Sequence, residues 1–196
     1  MIGIIDIGVG NTASLKSSLL QIGVYPTSVR NRSDLSCTHV IMPGVGHFDS
    51  VITALHETHL FSPLLEFIQT SGKKYLGICV GMQILFERSG EGAESGLGVF
   101  DGAVSRFKDS KMNTLPPNMG RMKIVGPNNL LSSGRFYFMH NYALQNAENS
   151  TGERYFSNYC GLEFLSLIQR EGIWGAQFHP ERSGIQGLSF FKAFLR

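Results

Sequence analysis

What this chain has little of narrows its chemistry first. Only 3 of its 196 residues are cysteine, and Cys37, Cys79 and Cys160 show neither the paired spacing of a metal site nor the even count of a disulfide framework. No metal is expected, and the thiols fit a reducing, cytoplasmic setting in which Cys37 and Cys160 are inert. Charge is sparse too: 17 basic and 15 acidic residues leave a net +2, which gives no electrostatic case for a nucleic-acid or membrane partner. No apolar run approaches the roughly 20 residues of a membrane span. Met1-Ile2-Gly3-Ile4-Ile5-Asp6 carries neither a basic leader nor a long apolar stretch, so no secretory signal is expected. Repeats and low-complexity segments are missing. What remains is a chain with 42% hydrophobic residues, long enough for a full core and expected to form one domain over residues 1–196.

The first half alternates strand and helix patterns. Gly3 to Ile7 reads as a buried strand, and Thr12 or Asn11 as the cap of a helix from Ala13 to Ile22 that Gly23 stops. Strands are predicted over Thr27 to Arg30 and His39 to Met42, the latter ending at Pro43-Gly44-Val45-Gly46. Helices are predicted over Phe48 to His56 and, with Ser62 as cap, Pro63 to Gln69. This order predicts an α/β fold: a mostly parallel, doubly wound sheet with helices on both faces and active groups at the C-terminal strand ends. From Gly98 the segments shorten, with Gly102 to Phe107, Arg121 to Val125 and Phe136 to Tyr142 separated by turns. Tyr155 to Tyr159, Glu163 to Gln169 and Ile173 to Phe178 read as an antiparallel C-terminal extension, followed by a helix from a Ser183 cap to Leu195. Gly90 to Gly96 and Asp109 to Asn118 are the most loop-like stretches.

One stretch carries chemistry. The apolar run Tyr75 to Ile78 leads into Cys79, with Gly77 two positions before and Gly81 two after, and Met82 to Phe86 then reads as helix. A side chain projected from so sharp a strand-to-helix turn crowds its flanks, where only glycine fits without a Cβ penalty. The turn places Cys79 at a helix N-terminus, which favours the thiolate, and puts the amide of Val80 where it can hold an oxyanion. A buried cysteine taken alone is usually a small hydrophobe, but that role leaves both glycines without a purpose.

A reactive thiol needs a base. His179-Pro180-Glu181 supplies one with its own orienting group: proline disfavours helix at His179, and side chains at i and i+2 of an extended segment share a face. Glu181 is thereby expected to fix the tautomer of His179 and to stabilise its imidazolium.

Together these residues resemble the class I (triad) glutamine amidotransferases and, among them, the glutaminase subunits of imidazole glycerol phosphate synthases. The resemblance runs over nearly the whole chain: Asp6-Ile7-Gly8-Val9-Gly10-Asn11, Pro43-Gly44-Val45-Gly46, the Cys79 turn, Tyr137-Phe138-Met139-His140-Asn141-Tyr142 and Gln177-Phe178-His179-Pro180-Glu181-Arg182-Ser183. It implies hydrolysis of L-glutamine to glutamate and ammonia without a cofactor. The ammonia would pass to a (βα)8-barrel cyclase partner in a heterodimer, where imidazole glycerol phosphate and an aminoimidazole carboxamide ribotide form in histidine biosynthesis. It implies Cys79 as nucleophile, His179 as base and acid, Glu181 as its orienter, and Val45 as a second oxyanion donor beside Val80. Gly46, Gln83, His140, Asn141 and Tyr142 are implied to contact the substrate.

The sequence departs from that pattern at Gly120-Arg121-Met122, where the synthase subunits usually carry Gly-Trp-Asn at the cyclase interface, and at Asn141, where serine or threonine is common. The only tryptophan is Trp174. A paralogue feeding ammonia to a sugar-amidinating synthase is therefore an alternative. Gly8-Val9-Gly10-Asn11-Thr12-Ala13 also satisfies a G-x-G-x-x-A dinucleotide fingerprint, with Arg30 available to a 2′-phosphate. A non-catalytic subunit with a relic site and a cysteine peptidase on a similar fold complete the alternatives.

Overall fold

Parallel strands separated by helices build the first half, and the second is mostly strand, much of it in antiparallel pairs. The computed structural model describes residues 1–44, 46–108, 115–127, 134–147 and 150–196. In chain order the elements are β1 (Ile2–Ile5), α1 (Thr12–Leu20), β2 (Thr27–Val29), β3 (His39–Met42), α2 (Phe48–Glu57), α3 (Phe61–Gln69), β4 (Lys74–Ile78) and the single turn α4 (Val80–Gln83). There follow β5 (Phe86–Ser89), β6 (Phe100–Arg106), β7 (Asn118–Lys123), β8 (Arg135–His140), β9 (Tyr142–Ala143), β10 (Glu153–Tyr159), β11 (Leu162–Arg170), β12 (Ile173–Ala176) and the closing helix α5 (Ile185–Phe194).

The main sheet runs β10-β11-β12-β4-β3-β1-β2. Its β2-β1-β3-β4-β12 portion is parallel, and β11 and β10 add antiparallel at one edge, as the sequence pattern predicts. One face buries Val51, Ile52, Leu55, Leu64, Phe67 and Ile68 from α2 and α3. The other buries Leu15 and Leu19 of α1 with Phe190, Phe191 and Phe194 of α5. Alternate residues of β8, Phe136, Phe138 and His140, are buried, the period expected of a strand packed on one side. Phe136 lies tilted over Phe178 at 4.2 Å between ring centroids, and Phe178 meets Phe190 edge-on at 5.1 Å, so aromatic packing fixes the segment leading to His179. Trp174 lies edge-on to Phe190 and Phe194 and belongs to this packing.

Three local expectations differ from the structure. α3 begins at Phe61, so Ser62 is inside the helix and Pro63 occupies its first turn, where a missing N–H costs no helical bond. The helix after Cys79 ends at Gln83, and Phe86 opens β5 instead. Ser183 does not cap α5, whose N-cap is Gly184 at φ 62°; the Ser183 hydroxyl accepts from the Tyr137 amide at 2.9 Å and donates to the His179 carbonyl at 2.7 Å. Residues 109–114 of the predicted loop from Asp109 to Asn118 lie outside the described residues.

Candidate active site

β4 delivers Cys79 at φ 50°, ψ −107°, a left-handed conformation that costs a non-glycine residue about 1–3 kcal/mol. Its neighbours hold it there. The Cys79 amide donates to the Ala176 carbonyl at 2.7 Å, and the amides of Met82 and Gln83 donate to the Cys79 carbonyl at 3.0 Å. The buried hydroxyl of Tyr75 donates to the Gly81 carbonyl at 2.9 Å. A Cβ at Gly77 would lie 2.1 Å from the Gly81 oxygen, and one at Gly81 would lie 2.5 Å from the Met42 oxygen. Gly44 is under the same constraint, because its Cβ would lie 1.5 Å from the Ile78 oxygen. Gly44 thus packs directly on the Cys79 corner. Val80 opens α4, so its amide has no intrahelical acceptor. Val45, the other expected oxyanion donor, lies outside the described residues.

The imidazole of His179 is fully buried, and its Nδ1 is 2.8 Å from Glu181 Oε1. His179 is itself extended, at φ −102° and ψ 94°, as the following proline predicts, but the segment does not continue as a strand: Pro180–Arg182 forms a 3₁₀ turn, which brings Glu181 back to the ring. The His179 amide donates to the Tyr137 carbonyl at 2.8 Å, tying the segment to β8. Burial opposes a charge on the ring, yet the Cys79 sulfur, acting as an anion, and the Glu181 carboxylate together outweigh it and push the His179 pKa up to about 10. With Nδ1 engaged by Glu181, the influence of Cys79 falls on the Nε2 edge, which is buried and closes no formal hydrogen bond among the described residues. The arrangement favours an imidazolium beside the Cys79 sulfur.

Beside Cys79 is a cleft of about 180 Å³, lined by Gly44, Gly46, Gln83, Glu91, His140 and Tyr142 among others. That is below the roughly 300–1,000 Å³ of sites for drug-sized ligands and suits something of amino-acid size. Gln83 Nε2 donates to the Tyr142 carbonyl at 2.9 Å and to Gln177 Oε1 at 3.1 Å. Both amide hydrogens are spent, so Gln83 offers the cleft its oxygen. His140 lines the cleft with its ring already occupied: burial pushes its pKa down to about 3, Nδ1–H donates to the Tyr142 carbonyl at 2.9 Å, and Nε2 accepts from Asn118 at 3.0 Å. A contact from His140 to a ligand would therefore come from its backbone. Asn141 also lines the cleft.

Sequence reasoning missed Glu91 and the side chain of Gln177. Glu91 reaches the cleft from the loop after β5, and its Oε2 accepts from the Phe48 amide at 2.9 Å at the start of α2. No motif marks it. Gln177 precedes the predicted base by two residues, but its partners are far away in sequence.

The dinucleotide alternative loses its cation: Arg30 is paired with Asp6 at 2.8 Å, at the end of β1. Gly8 and Gly10 have φ of 78° and 103°, which a tight strand-to-helix turn requires. Among the described residues no group of His, Cys, Asp and Glu could hold a metal, and no helix is long and apolar enough to cross a membrane. All three cysteines are free.

Known proteins share this fold and this sequence pattern. The family described as Glutamine amidotransferase class-I matches residues 3–196. The chain is 37% identical to imidazole glycerol phosphate synthase subunit HisH of Leptospira interrogans, over 99% of this chain and 98% of the relative. It is 39% identical to the subunit of that name from Desulfitobacterium hafniense, over 99% and 93%. Against subunit HisH 2 of Pseudomonas aeruginosa it is 34% identical over 100% and 98%. A crystal structure of a glutamine amidotransferase superposes with a TM-score of 0.75 at 17% identity, covering 99% of this chain and 96% of the other, and so shares the fold.

Proposed function

This chain belongs to the class-I glutamine amidotransferases, and we propose that it is the glutaminase subunit of an imidazole glycerol phosphate synthase, supplying ammonia for histidine biosynthesis. The observation that carries the mechanism is the strained Cys79 corner facing a buried, Glu181-bound His179.

In this reading the Cys79 thiolate attacks the side-chain carbonyl carbon of glutamine, and the negative charge passes to oxygen, where the Val80 amide and the Val45 peptide receive it. The His179 imidazolium donates its proton to the departing nitrogen, ammonia leaves, and a thioester remains. Neutral His179 then takes a proton from water, whose oxygen attacks the thioester. Glutamate departs, and the thiolate and imidazolium are restored. Glu181 keeps the proton on the correct edge of the ring throughout. Glu91 and the Gln83 oxygen give the cleft an acceptor pole suited to an α-ammonium group, and Gly46, His140, Asn141 and Tyr142 form the wall around it.

The raised His179 pKa has a definite sign. Stability drawn from the charged ring is complete below its ordinary 6.5 and is gone once pH has risen through about 10, and the general acid is lost as pH passes about 10. Glu181→Gln keeps the shape and removes the charge. Its alkaline limb in kcat/KM is expected to move down by about one pH unit or more, with kcat falling about 10²–10⁴-fold. An unmoved limb would show that Glu181 does not hold the imidazolium.

The receiver of the ammonia is a (βα)8-barrel cyclase bound as a heterodimer. Exposed Met119 and Ile185 flank Arg121, whose guanidinium donates to the carbonyls of Arg182 and Ser183 at 3.4 Å, next to the His179 segment. This rim supports a partner seated over the site. Arg121 in place of the usual tryptophan favours a second reading, in which the partner is a sugar-amidinating synthase. Glutamate release from glutamine is expected to be slow for the isolated chain and to rise at least about tenfold with the cyclase and its nucleotide ligand. Recovery of the cyclase with the chain from its source cell supports histidine synthesis; recovery of a sugar-modifying enzyme supports the paralogue. Fast turnover by the isolated chain would refute the coupling.

A further inference from the structure

Two buried amides lie in series between the cleft wall and the nucleophile. A backbone carbonyl can only accept, so the carbonyl of Tyr142, 2.9 Å from the side chain of Gln83, requires Nε2 of Gln83 to face it. The same nitrogen is 3.1 Å from the Gln177 amide, which must therefore turn its oxygen toward Gln83. One end of a planar amide then determines the other: Gln177 Nε2 points away and donates to the Cys79 sulfur at 3.5 Å. The orientation at the sulfur is set two side chains away, by the peptide at Tyr142. Gln177 is fully buried and Gln83 nearly so, and water therefore does not compete for these bonds.

The sulfur lies between two partners of opposite character. The Met139 carbonyl, at 4.0 Å, can accept only from a protonated thiol, whereas the closer Gln177 N–H favours the thiolate. The titratable groups around it are His179 with Glu181 behind it, Glu91 across the cleft and His140, which burial keeps neutral. Among these only the imidazolium of His179 also favours the anion.

We propose that Gln177 is a positioning residue that holds the Cys79 sulfur as a thiolate, its donor face fixed by the Tyr142 carbonyl acting through Gln83. The proposal rests on the reading of Cys79 as nucleophile. It assigns Gln83 a duty besides lining the cleft, and it accounts for two neutral amides buried where apolar side chains would pack as well.

The test is the rate of Cys79 alkylation by iodoacetamide between pH 5 and 10, on the full chain without glutamine, followed by mass spectrometry of the Cys79 peptide so that Cys37 and Cys160 do not contribute. For Gln177→Met the midpoint is expected to rise by about one to two pH units, and the rate below that midpoint to drop by about tenfold or more. Gln83→Met, which leaves every direct contact of the sulfur in place, is expected to move the midpoint the same way by a smaller amount, because Gln177 is then free to flip. A packing role for Gln177 predicts no response to the second variant. Thermal melts establish that each variant is folded, and if Gln177→Met does not fold, Gln83→Met carries the test. Midpoints within about 0.3 pH unit of the parent chain in the folded variants would overturn the relay. Cys79→Ala separates the two ideas: hydrolysis that survives it removes the nucleophile reading, whereas hydrolysis that vanishes beside unmoved midpoints removes only the relay.

Discussion

Alanine at position 79 is expected to give a folded chain with no measurable glutamine hydrolysis, a loss of about 10⁴–10⁶-fold. No other described side chain can replace the sulfur, because Gln83, Gln177 and Glu91 are poor nucleophiles and His140 is fully engaged in hydrogen bonds. Serine tests the chemistry more sharply. It preserves shape and hydrogen bonding, but an alcohol is far harder to ionise than a thiol, and the electrostatics that favour a thiolate fall well short of an alkoxide. Cys79→Ser should therefore lose nearly as much as alanine. Glutamate release measured with the partner bound reads the loss, and denaturant melts of all three chains should agree within about 1 kcal/mol. Substantial hydrolysis by Cys79→Ala would mean that the reaction does not pass through a covalent intermediate at this residue, and substantial hydrolysis by Cys79→Ser would mean that it does not require a thiolate.

The largest effect on stability is expected at Gly77. Its backbone is not left-handed, so alanine there adds no conformational penalty and the whole cost is steric. The new Cβ would lie 2.1 Å from the Gly81 oxygen and 2.7 Å from the Met82 nitrogen. The α4 backbone cannot retreat, because Gly81 already touches Met42 on its other side and the Tyr75 hydroxyl holds its carbonyl. A cost of about 3–5 kcal/mol follows, a large part of the roughly 5–15 kcal/mol that keeps a domain folded. Gly72→Ala is the matched control. Its φ is 77° and nothing lies within 4 Å of the added carbon, so only the conformational penalty of about 1 kcal/mol remains. Urea midpoints of the two variants should differ severalfold in their displacement from the parent, and equal displacements would show that the corner is not close-packed.

The Cys79 turn was legible in sequence because its cause is local: after an apolar strand, glycines two positions before and two after a cysteine are what a crowded corner demands. The His179–Glu181 contact was legible as a pairing, but its path was not, since a 3₁₀ turn and an extended segment can bring the same two residues together. Elements set by distant partners were hidden. Ser183 has the composition of a helix cap, and only the Tyr137 amide, brought in from β8, diverts its hydroxyl. Phe86 continues an apolar run that fits a helix or a strand equally, and pairing with Phe100 in β6 decides it. Gln177 and Glu91 find their roles against residues 98 and 43 positions away, at separations that no local pattern encodes.

β4 and β12 are adjacent parallel strands, with Ile78 opposite Ala176 in register, and this ladder has a consequence for the order in which the chain becomes competent. During synthesis the thiol leaves the ribosome a hundred residues before the imidazole proposed to activate it. Until β12 docks against β4 as the last strand of the sheet, the cysteine lacks both its proposed base and the donor from Gln177. On the proposed mechanism a nascent chain is therefore chemically quiet, and glutamine is spared, until the segment carrying Gln177 and His179 has joined the fold.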